Sequence, residues 1–277
     1  MKNTAGGGKG SQFDGQFTRS RGSSRQPRFD WVDLGYEPRR TPGNAMILPV
    51  PVAEGANIIT DAYLLDTLGY KRILEDQAEA VQEQETTRGG AKGLTFGSRS
   101  AAVIVEFGPY EVVLAQSPMA AFDILDKVSD AKRPVLNEEQ LAAYEAWYPG
   151  WSLMMACFNN KDMMDAAPIV LVTPVRHGDY LFLPAIHGHS GGVPDLSESV
   201  VDDHTFIAGS CLSGKDAGNP VFYSDSIPDG VSPLLPKRVV GSESRGSVKQ
   251  GDLVVKLSDV KAGLWMPERL LPPGAPF

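Results

Sequence analysis

Three of the chain's four histidines fall between Ile186 and His204, in the stretch IHGHSGGVPDLSESVVDDH, beside the adjacent pair Asp202 and Asp203 and a cluster of glycines. His187 and His189 stand two residues apart at the end of an apolar run, so on an extended chain both imidazoles point to one side. A following strand can return Asp202, Asp203 and His204 to the same place. Imidazole nitrogens combined with a carboxylate oxygen suit zinc, iron or manganese. The candidate ligand set is therefore His187, His189, Asp203 and His204, and the candidate cofactor is a divalent metal ion. This set carries a geometric demand, because ring nitrogens that share one ion at about 2 Å each must lie within about 5 Å of one another.

Other readings of the same residues are available. Gly188-His189-Ser190-Gly191-Gly192 fits the G-x-S-x-G pattern of a nucleophile elbow, but that pattern leads straight into a helix, and the residues that follow hold Pro194 and no helical stripe. Gly209 to Gly214, followed by Lys215, does not stand in the strand-to-helix context that a phosphate-binding loop needs. A structural account treats HSGGVPDL as a glycine-proline turn in which Asp195 bonds nearby backbone, with His204 opening the strand HTFIA.

The elements that must position these side chains are strands. Residues 180–186 form the strand that ends at His187, and residues 168–175 precede it across Arg176, His177, Gly178 and Asp179, the length and chemistry of an antiparallel turn. Further strands are expected over 45–52, 101–107, 110–115, 151–158, 204–208, 221–224, 237–240 and 253–257. Pro49 and Pro51 are confined by their missing N–H to a sheet edge or the entry of the strand, and Gly108-Pro109 makes a hairpin of the next two. Three helices are expected. One is capped by Asp66 or Thr67 and turns Tyr70, Ile73, Leu74, Ala78 and Val81 inward, with Lys71, Arg72, Glu75, Asp76, Glu79 and Glu83 facing water. The second starts at Ser117-Pro118. The third begins at Asn137, with Gln140 completing a capping box, and ends at Pro149-Gly150 just before an apolar strand that should bury Trp151. Strands and helices do not alternate regularly, so the pattern predicts an α+β fold with a mixed, mainly antiparallel sheet in a single globular domain over residues 30–266.

With 277 residues, 42% of them hydrophobic, the chain can bury a substantial core. Its 26 basic and 34 acidic side chains leave a net charge of −8, which argues against a body that coats nucleic acid. The charge is uneven, since residues 1–29 carry six basic side chains and one acidic one, leaving +5 on a Gly/Ser/Arg-rich arm and −13 on the remainder. That arm has too little apolar area to offset chain entropy and is expected to be flexible. Arg19, Arg21, Arg25 and Arg28, interleaved with Phe13, Phe17 and Phe29, suit contact with nucleic acid or with a second copy of the chain. Residues 267–277 form an extended proline-rich tail whose Leu270, Leu271 and Phe277 can pack on a partner. No secretory apolar segment and no membrane span is legible, and Cys157 and Cys211 show no disulfide or zinc spacing, so a soluble, cytoplasmic protein without a membrane partner is expected. The organisation of arm, body and tail points to a non-enzymatic binding or assembly protein that forms homo-oligomers or holds a partner. The alternative is a metal-dependent enzyme, a hydrolase, centred on the His/Asp stretch.

Overall fold

The computed structural model describes residues 43–53, 55–56, 64–82, 101–174, 176, 178–188, 192–209, 217–227 and 229–272, all within one compact unit, Glu37–Phe277. The strands are β1 (Asn44–Val50), β2 (Leu64–Leu65), β3 (Ala102–Phe107), β4 (Tyr110–Ala115), β5 (Ser152–Phe158), β6 (Val170–Leu171), β7 (Tyr180–Leu183), β8 (Ser199–Gly209), β9 (Asn219–Pro220), β10 (Arg238–Lys249), β11 (Asp252–Lys256) and β12 (Glu268–Leu270). The helices are α1 (Ile73–Gln82), α2 (Pro118–Phe122), α3 (Glu138–Trp147) and α4 (Leu257–Lys261). The fold is α+β, and every strand ladder among the described residues is antiparallel. No helix among these residues is long and apolar enough to cross a membrane.

The run SLMMACF can pack on both of its faces, and it becomes β5, buried at every position and flanked by β1 and β4 in a sheet of order β1-β5-β4-β3. Alternation sorts its side chains. Met154, Ala156 and Phe158 join Val112 and Leu114 of β4 in one core, whereas Leu153, Met155 and Cys157 join Val113 and Ala115 in the other. The second core is closed by Ala121 of α2, by Leu125 and by Leu141 of α3. Ser117 caps α2 by accepting from the Ala120 amide at 3.3 Å, and β1 with its prolines lies at the sheet edge as expected.

The remaining strands divide among further sheets, ordered β8-β10-β9, β12-β11-β7 and β2-β6. β8 and β10 pair over eleven residues, from Ser199↔Lys249 to Gly209↔Val239, so both are about twice as long as their apolar cores suggest. Only Gln250 and Gly251 separate β10 from β11, and side chains of the two three-stranded sheets meet in one core, Ala208 and Val240 with Val255 and Leu181. Gly251 sits at φ 138°, and a Cβ there would come within 2.8 Å of the Leu270 carbonyl oxygen, so this bend needs glycine.

Four local expectations are corrected. β6 and β7 do not pair with each other: β6 pairs with β2, and β7 pairs with β11, whose buried run from Asp252 to Val255 offers it an apolar neighbour. Residues 221–224 are not a strand, and pairing with β10 occurs instead at Asn219 and Pro220. In α1 the inward face is rotated, with Leu74 50% exposed and Asp76 only 3% exposed. The Asp76 carboxylate is satisfied there by the Ser224 amide and hydroxyl, both at 2.6 Å, and by Arg72 at 3.2 Å, so a charge displaces a leucine from the buried face. Asp66 and Thr67 shape the turn before α1, through the Leu68 amide and the Pro168 carbonyl, and do not cap the helix directly.

Trp151 is buried where the end of α3 meets β7, with ring centroids 5.3 Å from Tyr148 and 4.7 Å, edge to face, from Phe182. Replacing it by Ala is expected to lower unfolding free energy by about 3–5 kcal/mol, measured by urea denaturation. A loss below about 1 kcal/mol would contradict its role as a core element.

Candidate metal centre

β8 explains which acid joins the site. Residues two apart on a strand share a face, so Asp202 and His204 point together and Asp203 points away. Asp202 is 1% exposed, whereas Asp203 is exposed. Of the sequence candidates, the fold therefore brings His187 and His204 together around Asp202, and Asp203 lies on the outer face of β8 as the cross-strand neighbour of Arg245. His189 lies outside the described residues, as do Arg19, Arg21, Arg25 and Arg28 of the arm, Ser190 and Gly191 of the elbow pattern, and Cys211.

One ring nitrogen each of His187 and His204 and one carboxylate oxygen of Asp202 lie within 4.8 Å of one another, inside the limit that a shared ion sets. His204 Nδ1 is hydrogen-bonded to Asp202 Oδ1, and His187 Nε2 is 3.9 Å from the same oxygen. The two rings meet edge to face, with centroids 5.2 Å apart and planes at 77°. The exposures differ: the His187 side chain is 12% exposed and that of His204 53%, so the group opens to solvent on the His204 side. The other oxygen, Asp202 Oδ2, accepts from Ser244 Oγ at 2.6 Å and lies 3.6 Å from Arg269 Nη2. Ser244 reaches it because β10 places that residue directly opposite His204.

His187 follows β7 in a segment without ladder partners, and side chains take the place of a ladder. The Gln250 amide pairs with both backbone groups of His187, accepting from its N–H and donating to its carbonyl, each at 3.0 Å. Asp252 Oδ1 accepts from the Ala185 amide at 2.8 Å, and Asp252 Oδ2 accepts from the Tyr148 hydroxyl at 2.5 Å. Gln140 Nε2 donates to the Gly188 carbonyl at 3.2 Å. Asn137 does cap α3, accepting from the Gln140 amide at 2.7 Å, yet the Gln140 side chain reaches this segment and does not close a capping box. A Cβ at Gly188 would lie 3.1 Å from Gln140 Nε2 and 3.2 Å from the Tyr144 hydroxyl, so glycine lets the segment sit tight on α3. In the turn beyond, Asp195 accepts from the Ser197 amide at 2.8 Å and hydroxyl at 2.7 Å, as the structural account of that turn expects.

Burial pushes the two carboxylic acids up, but they end on opposite sides of the ordinary range. Burial raises Asp252 and keeps it raised despite its bonds to Tyr148 and to the backbone. At Asp202 burial also acts upward, and it is outweighed by hydrogen bonds from Ser244 and His204 and by the charges of both histidines, so the group lies below its ordinary value. The signal for Asp202 was present in the sequence as the i, i+2 spacing to His204. Ser244, Arg269, Gln250 and Asp252 had no such signal, because their roles arise from pairing distant strands.

A carboxyl whose folded pKa is depressed contributes stability that is complete above the unfolded value and is lost as pH falls through the folded value. The difference in unfolding free energy between wild type and Asp202→Asn, followed by urea denaturation from about pH 5 downward, should therefore shrink below about pH 4. A difference that stays flat down to about pH 2.5 would contradict the depressed carboxyl.

Protein-family models, curated proteins and solved structures all lack a match to this chain, and the chemistry of the centre is therefore read from its own side chains.

Proposed function

We propose that this is a metal-binding protein in which His187, Asp202 and His204 hold one divalent transition-metal ion, zinc, iron or manganese. The convergence of two imidazoles and a buried carboxylate oxygen within 4.8 Å supports this reading. Two histidines and one carboxylate leave coordination positions open, and the exposed His204 side directs them to solvent. An ion with open positions lowers the pKa of bound water and polarises carbonyl or phosphoryl oxygens, so the enzymatic form of the proposal is a metal-dependent hydrolase. The residues of the chain fix the ion's place: Asp202 through Ser244, and His187 through Gln250. The proton in the His204–Asp202 hydrogen bond is the one that an ion would displace.

Elemental analysis of the purified protein after dialysis against zinc should find about one ion per chain, falling to background in Asp202→Asn and in His204→Ala. Retention should fail below about pH 6, because protonated imidazole is not a ligand. Removing the Gln250 clamp by Gln250→Ala should weaken affinity by about 10- to 100-fold without changing stoichiometry. Wild-type protein that binds no metal, or Asp202→Asn that binds as much as wild type, would contradict the proposal.

The charge of the arm supports a second, separate proposal, that residues 1–29 contact nucleic acid or another copy of the chain; six basic side chains against one acidic carry it. Deleting residues 1–29 should leave the melting temperature unchanged while weakening single-stranded nucleic-acid binding and flattening its salt dependence. Equal binding by truncated and full-length protein across a salt titration would refute nucleic-acid contact, and an unchanged sedimentation profile would refute self-association.

A further inference from the structure

Asp202 divides its two oxygens between different partners. Oδ1 faces the histidine rings, and Oδ2 faces Ser244 and Arg269. The Arg269 guanidinium is held by its far end: Nη1 donates to the Gly251 carbonyl at 2.9 Å, between β10 and β11, and to the carbonyl of Lys249, the last residue of β10, at 3.3 Å. Its Nη2 is 3.6 Å from Asp202, longer than the roughly 2.7–2.9 Å of a charge-assisted hydrogen bond, and its side chain remains 23% exposed. Arg269 is thus an oriented cation beside the centre and not a close partner of its carboxylate.

The charges of the loaded centre do not cancel. Asp202 and Asp252 both lie in the field of Arg269, neutral imidazoles add nothing, and a divalent ion leaves the group with an excess of at least about one positive charge. The rest of the body is acidic, so long-range attraction does not deliver an anion, and selection must be local. An open ion and a fixed guanidinium on either side of one carboxylate are complementary to a ligand with two anionic oxygens. We infer that the metal-loaded centre takes a small oxyanion, phosphate or carboxylate, free or as the acidic end of a substrate, with one oxygen on the ion and another on Arg269. This rests on the metal reading above.

The test uses full-length protein loaded with zinc and dialysed free of unbound metal, its metal content measured, then titrated calorimetrically with inorganic phosphate and, separately, with acetate at fixed ionic strength. Saturable one-site binding of at least one anion is expected, absent from chelator-stripped protein, and the tighter of the two names the class. Arg269→Gln should weaken that binding by about tenfold or more with metal content unchanged. If Arg269→Gln fails to fold, Arg269→Lys, which keeps the charge and loses the fork, should still weaken it. Loaded wild type that binds neither anion, or Arg269 variants that bind as tightly as wild type, overturn the inference while leaving the metal reading intact. Wild type that holds no metal overturns both.

Discussion

A carboxylate taken out of water must be compensated, and the Asp202 side chain is removed from solvent in the middle of a polar stretch of β8. Its compensation comes from four separate places in the chain: His204 on the same strand, Ser244 on the paired strand, Arg269 on β12, and His187 on the segment after β7. Each requires a different piece of tertiary structure to be in register. A one-residue slip of β8 against β10 would turn Asp202 outward and bury Asp203 in its place, which the fixed eleven-residue ladder forbids.

The turn from β10 into β11 does the corresponding work for the backbone. Gln250 replaces a missing ladder for His187, Gly251 permits the bend and offers its carbonyl to Arg269, and Asp252 holds Ala185 and the Tyr148 hydroxyl. Three consecutive residues therefore couple the centre to α3 and to the aromatic cluster of Tyr144, Tyr148 and Trp151. The raised Asp252 is the cost of this arrangement, and the lowered Asp202 reflects its denser set of partners. Hydrogen bonds from His204 and Ser244 also satisfy Asp202 without any ion, and this metal-free cluster is the competing reading that the geometry itself raises.

Much of the fold was legible where the chain is apolar on both faces or strictly alternating. SLMMACF, the hairpin around Gly108-Pro109 and the Ser117 and Asn137 caps appear as their residues predict. β8 and β10 were legible only over their apolar ends, because SVVDDH and SESRGSVK read as loop when taken alone and become strand by pairing with each other. That misplaced start put Asp203 in the candidate set: with the strand opening at His204, neither aspartate has a defined face, whereas a strand from Ser199 assigns Asp202 inward. Glu268–Leu270, within the proline-rich tail, is likewise a strand because β11 offers it an edge. No local pattern could have assigned Gln140 to Gly188 or Gln250 to His187, since each is a single glutamine acting across 48 and 63 residues of sequence.

The ion and the metal-free cluster make opposite demands on the space between three atoms. Diffraction from zinc-soaked crystals at the zinc absorption edge tests them directly. The account predicts one anomalous peak about 2.0–2.2 Å from a ring nitrogen of His187, a ring nitrogen of His204 and an oxygen of Asp202, with the His204–Asp202 hydrogen bond opened to admit it. No peak at that position, with His204 still hydrogen-bonded to Asp202 at saturating zinc, would contradict it.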